Sequence, residues 1–310
     1  MITINGRKIG PGEPCYIVAE VGVNHQGDIR LARKLIDAAA LAGANAVKFQ
    51  TFSVEHLVAA GHPQRELLAP LALTAADFMQ LKAAAQGRGL AFLSTPFDPP
   101  SVALLWRLKV PAWKIASGEL TNLPMLEEIA VKGQPMLVST GMATLAEVER
   151  AVEVIEAAAN RQIVLLSCTS SYPTPVDEVN LRAMVTLHKA FGYPVGLSDH
   201  SLIIEVAVAA VALGACVVEK HLTLDHNLPG PDHQASLEPP QFTSMVQAIR
   251  NVEAALGDGR KRPMPSELPT REVARKSLVA ARDIRQGEVI TQEMVLMQRP
   301  GTGLPPEVVA

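Results

Sequence analysis

An eightfold alternation of short apolar runs and helix-like stretches constrains the fold of this chain more than any other feature. Each run ends in polar or charged residues, and a segment with helical periodicity follows it. The runs cover residues 16–20, 46–50, 91–95, 113–117, 136–140, 164–168, 195–200 and 217–221. Strands separated by whole helices must be parallel, because a parallel crossover takes about a dozen residues. The pattern therefore predicts an α/β protein with a (β/α)8 barrel and an active site at the carboxyl ends of its strands.

The length and the glycine pattern favour the barrel over the other parallel fold, a doubly wound open sheet. A chain of 310 residues accommodates one barrel of about 250 residues and a small appendage. No GxGxxG sequence follows the first run, so a dinucleotide site is unsupported.

Charge and composition exclude several classes of partner. The net charge is −3, and the longest basic run, residues 260–262, is interpreted as exposed linker. We therefore expect neither nucleic acid nor a membrane as partner. The N-terminus lacks the features of a signal peptide, and Cys15, Cys168 and Cys216 form no disulfide framework. These features predict a cytoplasmic protein with buried, reduced thiols.

The pattern divides the chain into three parts: a barrel domain over residues 1–257, a linker over 258–275 and a tail over 276–310. The linker loses the periodicity and contains three prolines. The tail begins with a predicted strand at 277–281 and is too short to hold a core of its own. Within the barrel domain, a hairpin is predicted around Asn5, and a helix is predicted to start at Ser201.

Two lysines and several hydroxyls fall at the predicted strand ends. Lys48 and Lys114 lie within or near the ends of the second and fourth strands. Hydroxyls lie at neighbouring strand ends, namely Thr95, Ser117, Ser139 and Ser198. Together they predict a phosphate or carboxylate pocket, because a buried lysine needs an anion or a hydrogen-bond network. The alternative is that each lysine extends to the barrel rim or pairs with Glu20 or Glu119.

Two histidines end the last two predicted strands, which are adjacent in a barrel. His200 and His221 at neighbouring strand ends suit a divalent metal with open positions for substrate. Alternation places Ser198 on the face of His200 and Glu219 on the face of His221. A structural or simple acid–base role for each histidine is the alternative.

A further polar set lies at strand ends or in the loops that follow them and suits a polyhydroxylated substrate. Its members are Glu20, Gln50, Tyr172 and Asp232.

Motifs distributed over essentially the whole chain resemble the sialic acid synthase family. They occupy residues 17–25, 47–51, 94–97, 114–119, 139–142, 168–173, 196–200, 219–221 and 230–233. The resemblance implies an enzyme that joins phosphoenolpyruvate to an N-acetylated hexose such as N-acetylmannosamine, giving a nine-carbon 2-keto acid and phosphate. The sister enzymes that make legionaminic or pseudaminic acid remain alternatives, as does a non-catalytic sugar-binding or ice-binding protein.

The resemblance also implies roles for individual residues. Phosphoenolpyruvate would be held by Lys48, Thr95, Lys114, Ser117, Ser139, Ser170 and Ser198, although the position of Ser170 is commonly asparagine in the N-acetylneuraminate enzymes. His200 and His221 would bind Mn2+, with Mg2+ or Co2+ as alternatives. The sugar would be oriented by Glu20, Gln50, Tyr172 and Asp232. Lys114, Glu119 and the two histidines would act in catalysis, with Glu119 transferring a proton.

The tail resembles the start of the family's antifreeze-like (SAF) domain, which exchanges between the two subunits of a homodimer. Arg299 matches the arginine that reaches the N-acyl group of the sugar. Because the chain stops at Ala310, short of the usual end, we expect a truncated or minimal version of that domain.

Overall fold

The computed structural model describes residues 1–309, which form two compact units that are described here separately. The first unit is Met1–Leu256, and the second begins at Gly257. No helix among the described residues is long and apolar enough to cross a membrane.

Eight parallel strands form the centre of the first unit. They are β3 (Tyr16–Gly22), β4 (Ala46–Thr51), β5 (Ala91–Pro96), β6 (Trp113–Ile115), β7 (Met136–Ser139), β8 (Ile163–Cys168), β9 (Val195–Asp199) and β10 (Val217–His221), preceded by β1 (Ile2–Ile4) and β2 (Arg7–Ile9). The hydrogen-bonded order is β5-β4-β3-β10-β9-β8-β7-β6, and every ladder within it is parallel. Because β5 and β6 lie against each other, the sheet is a nearly closed barrel, and the predicted (β/α)8 fold is confirmed.

Strands β1 and β2 form the predicted hairpin at the amino end of the barrel. Asn5 and Gly6 turn the chain with positive φ values of 48° and 78°. Ile2, Ile4 and Ile9 are buried in one cluster with the inward-facing residues of the barrel strands. The hairpin therefore contributes apolar side chains to the inner core of the barrel.

Ten helices connect and surround the strands. They are α1 (Ile29–Leu41), α2 (Val54–Leu57), α3 (Gln64–Leu68), α4 (Ala75–Gly87), α5 (Pro99–Arg107), α6 (Leu123–Ala130), α7 (Leu145–Ala157), α8 (Leu181–Phe191), α9 (Ile204–Ala212) and α10 (Pro239–Leu256). The side chains of Asp28, Thr74, Asp98 and Thr144 accept hydrogen bonds from the first turns of α1, α4, α5 and α7. Helix α9 starts at Ile204 instead of the predicted Ser201, which is engaged in other hydrogen bonds.

The second unit contains α11 (Leu268–Ala274) and the antiparallel pair β11 (Ser277–Ala280) and β12 (Val295–Gln298). The segment 258–275, predicted as a linker from its prolines, thus carries a helix and belongs to this unit. Its proline at 269 lies in the first turn, where no backbone N–H is needed, so the helix tolerates it.

Candidate active site

A cavity of about 360 Å3 lies at the carboxyl ends of the barrel strands. It is lined by Glu20, Lys48, Gln50, Thr95, Phe97, Lys114, Ala116, Ser117, Gly118, Ser139, Met142, Cys168, Ser170, Tyr172, Ser198, His200, Glu219 and His221. All but three of the residues predicted for the site therefore meet in one cavity. The three are Glu119, Asp232 and Arg299.

Two lysines and two glutamates form the buried floor of this cavity. Lys48 Nζ lies 3.0 Å from Glu20 Oε2 and 3.6 Å from Glu219 Oε2, and Lys114 Nζ lies 3.5 Å from Glu219 Oε1. No side chain of the four is more than 5% exposed. The sequence left open that each lysine pairs with Glu20 or Glu119. In the structure Lys48 pairs with Glu20, as that alternative expects, but Lys114 pairs with Glu219 instead of Glu119.

The pKa values of the two glutamates are shifted in opposite directions in this cluster. Burial raises the pKa of Glu20 to about 7, against the effect of Lys48. Burial also opposes ionisation of Glu219, but the charges of Lys114 and Lys48 outweigh it and lower the pKa of Glu219. The pKa of Lys48 is raised by the two glutamates in spite of its burial, whereas burial lowers the pKa of Lys114. At neutral pH the cavity floor therefore carries a firm cation at Lys48, a firm anion at Glu219 and a partly protonated carboxyl at Glu20.

Hydroxyl groups surround the two ammonium groups. Lys48 Nζ donates to Thr95 Oγ1 at 3.0 Å, and Lys114 Nζ donates to Ser139 Oγ at 2.8 Å. Ser198 Oγ donates to Glu219 Oε1 at 2.9 Å. These contacts place two cations and several reorientable donors around one space, an arrangement that suits a phosphate or carboxylate group.

The two predicted metal-binding histidines lie side by side, with ring centroids 5.4 Å apart. His200 Nδ1 is 2.8 Å from the carbonyl oxygen of Thr169, so it donates its proton there, and Nε2 is the ring nitrogen left to bind a cation once His200 is deprotonated. His221 Nδ1 is buried without a hydrogen-bond partner. Burial and then the charge of His200 hold the pKa of His221 well below its ordinary value, so this imidazole is neutral.

These features fit a divalent cation, because imidazole nitrogens are its usual nitrogen ligands in proteins and His221 is neutral here. Among residues 1–309 no group of three or more His, Cys, Asp or Glu side chains is arranged to hold a metal alone. Two imidazoles leave coordination positions open for water or substrate, as the sequence predicted.

Asp232 and Tyr172 lie beside the histidines. Asp232 Oδ2 is 3.8 Å from His221 Nδ1, and the Tyr172 ring is 4.1 Å from the His200 ring, centroid to centroid. The loop carrying Asp232 is held by Ser236, whose Oγ donates to the Asp232 carbonyl at 2.6 Å and accepts from Asn24 Nδ2 at 2.8 Å. Asp232 is therefore fixed at the edge of the cavity without lining it.

Glu119 belongs to the first unit but does not line the cavity, and Arg299 belongs to the second unit. Glu119 ends a short 3-10 turn after β6, where its Oε2 accepts a hydrogen bond from Asn122 Nδ2 at 2.8 Å. Arg299 is exposed in the second unit, directly after β12.

Two polar lining residues, Glu219 and Cys168, were given no role in the site by the sequence analysis. Strand alternation had placed Glu219 on the inner face with His221, but it did not identify Glu219 as the partner of the lysines. Cys168 was expected to be a buried thiol. It is only half-buried and lies in the cavity, with its Sγ 3.5 Å from Ser117 Oγ.

Gly141 leaves room for the hydroxyls of the cavity. A Cβ atom there would lie 2.4 Å from Ser170 Oγ and 2.7 Å from Ser117 Oγ. Because both hydroxyls would have to move, we expect Gly141→Ala to raise the KM for phosphoenolpyruvate, the substrate that the sequence motifs imply, by about tenfold, the effect of losing one hydrogen bond to a charged group. Gly87→Ala in α4, where a Cβ meets nothing within 4 Å, is the control, and equal KM values in the two variants would contradict the expectation.

His25, in the loop after β3, makes the stability of the first unit depend on pH. Its Nδ1 accepts from the Gly27 N–H at 3.0 Å, and burial lowers the pKa of His25 from 6.5 to about 4. Between pH 4 and pH 6.5, His25 therefore binds a proton in the unfolded chain but not in the folded chain. Stability present above pH 6.5 is therefore lost as the pH falls toward 4, by up to about 3 kcal/mol.

Replacement of His25 by glutamine is expected to flatten this part of the stability profile. The measurement is urea unfolding at pH 4 to 7, with the exposed-histidine variant His62→Ala as control. Parallel profiles for the wild type and His25→Gln would show that His25 is not responsible.

Comparison with known protein families identifies the chain. The model of the NeuB family matches residues 35–261. The chain belongs to the NeuB family. A SAF domain model matches residues 275–310, as the predicted antifreeze-like tail requires.

Named NeuB-family proteins match over nearly their full length. An N,N'-diacetyllegionaminic acid synthase of Legionella pneumophila is 43% identical and covers 99% of this chain and 92% of its own length. Human N-acetylneuraminate-9-phosphate synthase is 36% identical over 97% of this chain and 88% of its own length. The chain is thus a condensing synthase of the transferase type, and the non-catalytic alternative is wrong.

A solved structure of the family has the same fold. An N-acetylneuraminic acid synthetase from Leptospira borgpetersenii, crystallised with citrate, superposes with a TM-score of 0.82 at 38% identity. The match covers 87% of this chain and 94% of that one.

Proposed function

We propose that this NeuB-family enzyme condenses phosphoenolpyruvate with an N-acetylated amino sugar to give a nine-carbon 2-keto acid and phosphate. The observation that carries the proposal is the single cavity in which Lys48 and Lys114, with their hydroxyl neighbours, face the His200–His221 pair. An anion pocket and a divalent-cation site within one space match a reaction between a phosphorylated enol and an aldehyde.

Phosphoenolpyruvate would occupy the space around the two lysines. Its phosphate and carboxylate would replace Glu219 and Glu20 as partners of the ammonium groups, while Thr95, Ser139 and Ser198 turn their hydroxyl protons toward them. These hydroxyls already surround the two ammonium groups in the folded protein, so rotation about their C–O bonds is sufficient for them to donate to the substrate. The enol would then lie with its C3 toward the histidines.

His200 and His221 would hold the divalent cation, for which Mn2+ is the proposed ion. When bound, the cation acts as a Lewis acid on the sugar aldehyde and stabilises the developing alkoxide. Asp232, Gln50 and Tyr172 would orient the sugar beside it. C3 of phosphoenolpyruvate attacks the aldehyde carbon, water adds at C2, and phosphate leaves with cleavage of its C–O bond.

Glu20 is better placed than Glu119 to exchange a proton during these steps. Glu20 lies in the cavity, its pKa is about 7, and its Oε1 accepts from Gln50 Nε2 at 3.4 Å. A carboxyl that titrates near neutral pH serves as acid or base with equal ease. Glu119 has its carboxylate engaged by Asn122.

The proposed sugar is 2,4-diacetamido-2,4,6-trideoxymannose, the precursor of N,N'-diacetyllegionaminic acid. Two relatives with that product in their names are 43% and 44% identical to this chain. N-acetylmannosamine, the sugar that the sequence motifs suggested first, remains the second candidate because of the structural match to an N-acetylneuraminic acid synthetase. A pseudaminic acid synthase of Campylobacter jejuni is 37% identical.

The test measures phosphate release from phosphoenolpyruvate with each sugar, with Mn2+ and with a chelator. Release with the diacetamido sugar, and loss of release with chelator, are expected. Release with N-acetylmannosamine alone would reverse the choice of sugar, and no release with either sugar would contradict the proposed reaction. Exchange of the second unit within a homodimer remains a prediction, and sedimentation of the full chain measures whether the homodimer forms.

A further inference from the structure

A second buried ion pair lies directly behind the metal-site histidines. Lys220 Nζ is 2.6 Å from Asp199 Oδ2, and these side chains are 0% and 1% exposed. The two residues are register partners on β10 and β9. Since successive side chains of a strand point to opposite faces, Asp199 and Lys220 face away from the cavity that Ser198, His200, Glu219 and His221 line.

The pair anchors the backbone on both sides of His200. Besides Asp199, Lys220 Nζ donates to the carbonyl oxygen of Ser201 and, at 3.4 Å, to Ser201 Oγ. Asp199 Oδ1 accepts from the Ser201 N–H at 2.9 Å. All three ammonium protons of Lys220 and both carboxylate oxygens of Asp199 therefore make hydrogen bonds. Through these bonds Lys220, which precedes His221, contacts the residues on both sides of His200.

Stability alone is a poor reason for this arrangement. A buried ion pair loses the hydration of both charges, and apolar replacements of similar volume are often neutral or stabilising. The pair instead connects the ends of the two strands that carry the imidazoles. Outer groups that orient metal ligands commonly determine metal affinity.

We propose that Lys220 and Asp199 are positioning residues that set the spacing of His200 and His221 for a divalent cation. The inference rests on the proposed function, because it assumes that the two histidines bind such a cation. Neither Lys220 nor Asp199 touches substrate, and their effect passes through the backbone of residues 199–201 and 220–221.

The experiment measures the Kd of Mn2+ for the metal-free full chain, from the electron paramagnetic resonance signal of free Mn2+. Lys220→Met is expected to weaken Mn2+ binding at least tenfold, as is typical of outer-shell substitutions. The double variant Asp199→Leu/Lys220→Met leaves no unpaired buried charge, so it tests the same point if Lys220→Met fails to fold. Ser201→Ala retains the backbone contacts and is expected to bind Mn2+ within about threefold of wild type.

Arg250→Met is the matched control for destabilisation. Arg250 pairs with Glu253 at 2.8 Å and donates to the Cys15 carbonyl at 3.0 Å, next to the amino end of β3. The Arg250→Met variant should have a lower melting temperature than the wild type and the same Kd for Mn2+. A double variant that folds and binds Mn2+ as wild type does would overturn the inference.

The same measurements distinguish failure of the proposed function from failure of this inference. If the wild type releases phosphate without binding Mn2+, both the metal assignment and this inference are wrong. If the wild type binds Mn2+ and the variants bind it equally, only the inference is wrong.

Discussion

Lys114→Met is expected to lower kcat/KM for phosphoenolpyruvate about 10^3-fold, which corresponds to about 4 kcal/mol of transition-state stabilisation. Lys114 is 3% exposed and lies between Glu219 Oε1 at 3.5 Å and Ser139 Oγ at 2.8 Å. Methionine fills a similar volume but supplies neither the charge nor the hydrogen bonds. The phosphate or carboxylate of the substrate would then face Glu219 with Lys48 as the remaining cation.

Steady-state phosphate release over a range of phosphoenolpyruvate concentrations measures this effect. Circular dichroism must show a folded chain, because Lys114→Met also leaves Glu219 with less compensation in the cavity floor. The control is Lys34→Met, since Lys34 is exposed on α1. A folded Lys114→Met variant within threefold of wild type would refute the assignment of the anion pocket.

His221→Ala is expected to abolish Mn2+-dependent phosphate release, with a loss of at least about 10^3-fold. His221 ends β10, is buried, and has an Nδ1 without a partner in the folded protein. Alanine removes one of the two imidazoles and leaves His200 as the single imidazole beside Tyr172. A lone imidazole does not hold a divalent cation against water at micromolar concentration.

Phosphate release and Mn2+ binding are measured together on His221→Ala and on the control His62→Ala, whose histidine is exposed. If Mn2+ binding disappears while phosphate release continues, the cation is not required for the reaction. If both persist, His221 is not a metal ligand.

Local sequence signals predicted the elements of the fold well because each signal acts over a few residues. Thr144 and Glu147 have the spacing of a capping box and form one at α7, with Thr144 Oγ1 accepting from the Glu147 N–H and Glu147 Oε2 accepting from the Thr144 N–H. Ser201 is a counterexample. Serine is a residue type that commonly precedes a helix. However, Ser201 is hydrogen-bonded to Lys220, which is distant in the sequence, and α9 begins only at Ile204.

The candidate site was predictable where strand position decides orientation. His200 directly follows β9 and His221 ends the neighbouring strand β10, so the barrel geometry brings the two residues together. Glu119, predicted to transfer a proton, does not line the cavity, because it follows the end of β6 in a 3-10 turn, where the alternation of a strand no longer holds.

The sequence by itself determined the number, order and direction of the strands, the helix starts marked by capping residues, and the residue types available at the mouth of the barrel. The periodicity of apolar residues, the capping residues of helices and the lengths of the connections between strands are local properties, so they can be recognised in the sequence. Only the tertiary structure decided which lysine pairs with which glutamate, that Glu219 and not Glu119 completes the charge cluster, and that Lys220 and Asp199 brace the histidines from behind. Those pairings depend on distances between side chains far apart in the sequence, which closure of the barrel alone establishes.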